Sequence, residues 1–239
     1  MVTGDALAAP YGRLAFWLGG GLFVAASVFR VVQLIHLGGV GDEYLSTLLT
    51  VGPGAAGPRG RLSNILHLVG VLSFAAGGVI FALGLRGRGS VVGRRPIGLI
   101  ALLVYSVAPV AVWIATTEGP FPGRTNGMGT YVLWAVQVVA GLIAVIEIAR
   151  IGAVPGWWRF MPLTIFVVIV ALMIISALVS ISFVFNPSYE GRPTSLEINM
   201  PTIFLVTIAP FVLGVTAITL AAIAGRRAGS MLVGEVAQP

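Results

Sequence analysis

The chain has 239 residues, of which 57% are hydrophobic and only 9% charged, and its formal net charge of +6 comes from 14 basic residues that are all arginine. A soluble domain carries about 25% charged residues, and one water-soluble core of this length could not bury so much apolar surface, so a cytosolic enzyme, a secreted module and a disordered tail are excluded and lipid is the expected solvent. The absence of Lys removes Schiff-base chemistry on a side-chain amine, and the absence of Cys removes disulfides, thiolate metal sites, iron-sulfur clusters, thioether-linked haem and palmitoylation.

Six apolar runs follow one another along the chain, each near or above the ~20 residues that a helical span requires. They are Leu14–Leu37, Ile65–Leu85, Ile97–Thr117, Tyr131–Ile148, Leu163–Phe185 and Thr202–Ala224. The predicted fold is therefore all-α: a single-domain, polytopic integral membrane protein of six transmembrane helices. The first run follows Arg13 and contains Ala25-Ala26-Ser27, which resembles a signal-peptide cleavage site. It continues to Leu37, too long for a typical signal core, and reads as a retained helix. Pro96, Pro162 and Pro201 precede or open three of the runs, where a missing N–H costs a helix nothing. Pro109 and Pro210 fall inside the third and sixth runs, where they free a backbone carbonyl or kink the helix.

The connecting segments alternate in charge. On one side lie Arg13, Arg86, Arg88, Arg94, Arg95, Arg150, Arg159, Arg226 and Arg227, and on the other only Arg59, Arg61, Arg124 and Arg192, diluted by Asp42, Glu43, Glu118, Glu190 and Glu197. Cytoplasmic loops retain positive charge, so both termini are expected in the cytoplasm of a cell-membrane protein. Trp17, Trp157 and Trp158 would anchor the inner interface, and Trp113, Tyr131 and Trp134 the outer one. The outer segments, 38–64, 118–130 and 186–201, are longer and rich in turn formers such as Gly52-Pro53-Gly54 and Gly57-Pro58-Arg59-Gly60, read as ending helices. Leu45–Val51 reads as a short amphipathic stretch on the outer surface. Similar residues in the last two outer loops, Glu118-Gly119 and Glu190-Gly191, give only a faint sign of internal duplication. With Arg in place of Lys and abundant Ala, Val, Gly and Leu, the composition is actinobacterial-like, as a GC-rich genome writes.

Arg30 is the least ordinary residue, seven residues before the outer end of the first run and hence about 10 Å below the boundary at 1.5 Å per residue. A guanidinium at that depth must snorkel or be paired. Ser27, Arg30 and Gln33 share one helical face, and His36 continues the stripe. Gln137, Ser180 and Thr207 lie at depths of about 7 to 10 Å in later runs, so a polar layer opening outward as a vestibule is expected. A loop acid such as Asp42 or Glu43, an anionic ligand or a lipid headgroup would answer Arg30. Glu147 is the one acid within a span; with Arg150 three residues on, it reads as an interfacial ion pair. His36 and His67 end and begin consecutive helices near the outer face and could meet, but a metal or haem would need further ligands from Asp42, Glu43 or Asn64. No metal and no cofactor are expected.

Small residues at Gly19-Gly20-Gly21, Gly77-Gly78, Ala140 with Ala144, and Ala221 with Gly225 read as sites of close helix packing. No serine-nucleophile, Asp-rich, Walker or HExxH motif occurs. The expected role is non-enzymatic: binding an anionic or amphipathic ligand or lipid in the outer vestibule through Arg30, Gln33, His36, His67, Gln137 and Thr207, or supporting a partner membrane protein. Membrane lipid, a membrane-protein partner or a second copy of the chain are the expected partners, and nucleic acid is not, since the arginines flank apolar runs. A small transporter or channel is the first rival, and an enzyme acting on a lipid substrate the second.

Overall fold

The computed structural model describes residues 10–36, 58–85, 90–92, 95–117, 128–151, 156–185 and 205–224. The fold is all-α. Its helices are α1 (Pro10–His36), α2 (Pro58–Leu83), α3 (Pro96–Thr117), α4 (Met128–Ile151), a short 3-10 turn at Gly156–Phe160, α5 (Met161–Phe185) and α6 (Leu205–Ala224). Among the described residues, five stretches are long and apolar enough to cross a membrane, Tyr11–Gln33, Leu62–Leu83, Pro96–Ile114, Gly156–Ile175 and Leu205–Ala224. Leu45–Val51 and the Glu118 and Glu190 loops lie outside the described residues.

Helix starts differ from expectation for one reason. α1 and α2 open at Pro10 and Pro58 rather than at Leu14 and Ile65, so Gly57-Pro58-Arg59-Gly60 does not end a helix but leads into one. Proline at the first helical position has its φ already set and gives up an N–H that the first turn leaves unbonded in any case. The apolar count misses these turns because Arg59, Arg61, Ser63 and Asn64 make them polar.

Water would not tolerate the outside of this bundle. Val28, Val31, Ile35, Leu62, Ile65, Ile97, Val139, Ile174 and Leu178 are all exposed, and α5 buries none of its spanning residues. An apolar surface of that extent needs lipid or another protein against it.

Between apolar helices in lipid, association depends on close packing and not on expulsion of water. Here glycine supplies it. A Cβ on Gly20 would sit 2.7 Å from the Gly214 carbonyl oxygen, and one on Gly214 2.5 Å from that of Gly20, so α1 and α6 meet backbone to backbone. One residue earlier, Gly19 leaves room for the Phe81 ring, and Gly77 on α2 does the same for Phe23. Six aromatic rings continue that contact across the bundle. Phe16 and Phe23 both meet Phe81 edge to face, Phe23 stacks on Phe74 at 5.1 Å, and Phe74 meets Tyr105, which meets Phe166. The chain of rings thus joins α1, α2, α3 and α5, and Gly141 on α4 makes space where Tyr105 and Phe166 touch.

The main apolar core lies toward the arginine-rich end, around Phe16, Phe81, Val92, Leu102, Ile148 and Leu220. There the chain turns from α2 to α3. Gly84, at φ 67°, takes the left-handed conformation that ends a helix. Ser90 Oγ then donates to the Ala82 carbonyl at 2.6 Å and the Val91 N–H to that of Phe81 at 3.0 Å, bonding carbonyls that the end of α2 leaves open.

Replacing Gly214 by Ala should destabilise the protein by about 1–3 kcal/mol, since neither backbone can retreat cheaply. Gly21→Ala, where a Cβ meets nothing within 4 Å, should leave stability unchanged or raise it by up to about 1 kcal/mol. Thermal unfolding of the two variants in detergent compares them directly.

Candidate functional site

Among the described residues, four of the five buried polar side chains lie on α1, α2 and α6, and the fifth, Ser106 on α3, donates to the Leu102 carbonyl of its own helix. Along α1, Ser27 and Gln33 are buried at 3% and 5% exposure, and Arg30 between them is half-buried. Facing them on α2, Ser63, His67 and Gly70 recur at i, i+4 and i+7 and so share a side of the helix. Gln33 Nε2 donates to Ser63 Oγ at 3.2 Å, and Ser63 is 1% exposed. Gly70 lies against α1 on that same side: a Cβ there would be in ordinary contact, 3.4 Å from the Ala26 carbonyl oxygen and 3.9 Å from the aliphatic stem of Arg30. His67, half-buried, lies near enough for the Arg30 charge to act on its ring.

Thr207 reaches the same level from α6. It precedes Gly214 by as many residues as Ser27 follows Gly20, and the two helices run antiparallel from that contact, so Ser27 and Thr207 stand opposite in register about 10 Å along. Thr207 is buried, and Ser27 Oγ is buried with no hydrogen-bond partner among the described residues. A hydroxyl enclosed without a partner normally has a water or ligand to answer it.

Gln137 is half-buried on α4, which packs against α3 and α5, a different set of helices from those that hold Gln33 and Ser63. His36 ends α1, but its side chain, like that of Ser180 and like Asp42 and Glu43, lies outside the described residues. Among the described residues no group of three or more His, Asp or Glu could hold a metal ion.

A second polar cluster occupies the arginine-rich end. Glu147, its side chain 12% exposed, lies 3.7 Å from Arg150 Nη1 and 3.6 Å from Arg95 Nη1. Arg95 comes from the residue before α3 and was legible in the sequence only as a topology signal. Gly98 on α3 admits this arrangement, because a Cβ there would be 3.1 Å from that of Glu147. Ser63, the partner of Gln33, was equally hidden, since its segment reads as loop.

Comparison of the chain with protein-family models, with curated proteins and with solved structures gives no match.

Gln33→Leu would strand the Ser63 hydroxyl in an enclosed site and should lower stability by about 1–3 kcal/mol. Adding Ser63→Ala should return part of that loss. The coupling obtained from the four unfolding curves should fall near 0.6 kcal/mol and not exceed about 1.7 kcal/mol, the range for hydrogen bonds between membrane helices.

Proposed function

We propose that the chain is a non-enzymatic, six-span protein of the cell membrane, both termini cytoplasmic, whose outer half binds an anionic or amphipathic small molecule or lipid at the polar layer around Arg30. The sixth span in this reading is α4, whose 24 residues give about 36 Å of helix. The inner side is the one that carries Arg13, Arg95, Arg150 and Arg159, in keeping with the retention of positive charge in the cytoplasm.

One observation carries the ligand reading: an unsatisfied Ser27 hydroxyl, a buried Gln33–Ser63 hydrogen bond and the Arg30 guanidinium are held together between helices that have no structural need of polar groups. Polar side chains at such depth are costly, and they are kept where a site uses them. A guanidinium offers five donors in a planar fork, so carboxylate or phosphate is the chemistry that suits it.

Transport is the second reading, and Pro109 and Pro210 favour it. Each interrupts the bonding of its helix, which leaves the carbonyls of Tyr105 and Val206 without their usual partner. Val206 adjoins Thr207, so the opening in α6 falls at the polar layer. Against transport stands the lack of an acid at mid-membrane in any span, since Glu147 lies at the inner end.

Reporter fusions at Gly89 and Arg227 should give cytoplasmic signals and one at Gly127 an external signal. A cytoplasmic signal at Gly127 would overturn the six-span topology. For the site, native mass spectrometry of protein released from its own membrane should show a retained anionic mass that is lost in Arg30→Gln and weakened in Arg30→Lys, which keeps the charge but not the fork. Equal retention in all three would sink the ligand reading.

A further inference from the structure

A groove lies between α3 and α4, on the outside of the bundle and apart from the Arg30 layer. It is an open groove of about 550 Å³, lined by α3 from Ile97 to Val104 and by α4 from Ala135 to Ile143. Its floor is small and buried, at Ala101 and Ala140, and its rims are the exposed side chains of Ile97, Ile100 and Val139. The lining side chains are all hydrocarbon.

One end of the groove is charged. On α4, Val136, Val139, Ile143, Glu147 and Arg150 recur at spacings of three and four and so form one continuous stripe. Just before α3, Arg95 stands two residues ahead of Ile97. The apolar groove therefore leads into the Arg95–Glu147–Arg150 cluster. That cluster holds two guanidinium groups for one carboxylate, and the arginine side chains remain 66% and 69% exposed. At 3.6 and 3.7 Å their contacts with Glu147 are longer than hydrogen bonds, and each fork keeps N–H donors for another acceptor.

The geometry points to an anionic phospholipid as the occupant, its phosphate on Arg95 and Arg150 and one acyl chain along the groove. Charge complementarity chooses the headgroup, because the cluster carries a net positive charge at the membrane boundary. Depth chooses the tail. From Ile143 to Ala135 the groove runs about 12 Å at 1.5 Å per residue, most of the ~15 Å hydrocarbon depth of one leaflet. The site does not depend on the ligand reading at Arg30.

Reconstitution of the full chain into phosphatidylcholine bilayers with and without phosphatidylglycerol, followed by native mass spectrometry, tests this. The protein should retain one phosphatidylglycerol per chain at this site in preference to phosphatidylcholine. Arg95→Gln and Arg150→Gln should each reduce that preference about fivefold, the contribution expected of one arginine at an anionic surface, and the double variant should lose one bound phosphatidylglycerol per chain whatever remains near Arg30. Glu147→Gln, which removes the competing carboxylate, should strengthen retention. Ala135→Phe, at an exposed position on the groove wall, should fill the path of the tail and weaken retention with the arginines intact. Equal retention of the two lipids, or arginine variants that hold phosphatidylglycerol as the parent does, would overturn the proposal. So would an Ala135→Phe variant that changes the number of protomers and leaves lipid retention untouched, since the groove would then be a contact between copies.

Discussion

Apolar helices in a bilayer gain nothing from leaving water, and what holds this bundle is the depth to which one helix can enter another. α1 is the hub. Its consecutive residues Gly19 and Gly20 lie about 100° apart around the helix, and each opens toward a different neighbour: Gly19 to the Phe81 ring of α2, Gly20 to the backbone of α6 at Gly214. Dispersion falls steeply with separation, so fractions of an ångström at these points decide whether many atom pairs further along are in contact. The ring sequence from Phe16 to Phe166 depends on the same approach, because Phe23 reaches Phe74 and Phe81 only with Gly77 beneath it.

Fixing helices at such points also fixes their register, and register is what assembles the polar layer. Ser27 and Thr207 are matched because the Gly20–Gly214 contact lies the same distance below each. Gln33 meets Ser63 where α2 follows α1 past Arg30, further along the two helices that Gly19 and Gly77 bring together. The two halves of the bundle consequently differ. Toward the arginine-rich end the interior is aromatic and aliphatic, closed by the turn through Gly84, Ser90 and Val91. Toward the other end it contains hydroxyls, an amide, an imidazole and a guanidinium, a combination that adds little stability in lipid.

The outer surface completes the fold with material the chain does not contain. α5 has no buried residue in its spanning stretch, yet it is tied in by Phe166 against Tyr105 and by the Met161 sulfur, 3.2 Å from Thr216 Oγ1 of α6. Most of its length therefore needs lipid or another protein against it. The α3–α4 groove is the place where that surface acquires both shape and charge, since Gly98 and Glu147 bring the helices together at one end while the small side chains of Ala101 and Ala140 leave the groove open further along.

Composition and the length of apolar runs determined on their own that this chain is helical and belongs in a membrane, because both follow from summed transfer free energies that need no knowledge of neighbours. Helical spacing was equally sufficient to put Ser27, Arg30 and Gln33 on one face and Glu147 beside Arg150, since those relations lie within a single helix. The early starts at Pro10 and Pro58 escaped a hydropathy count because helix initiation depends on backbone geometry at the first turn. Which helix answers which was decided only in three dimensions: Ser63 for Gln33, Arg95 for Glu147, Thr207 at the level of Ser27, and Gln137 on a separate set of helices. Those pairings are set by the glycine contacts between helices, and a glycine in an apolar run carries no mark of the neighbour that will fill the space above it.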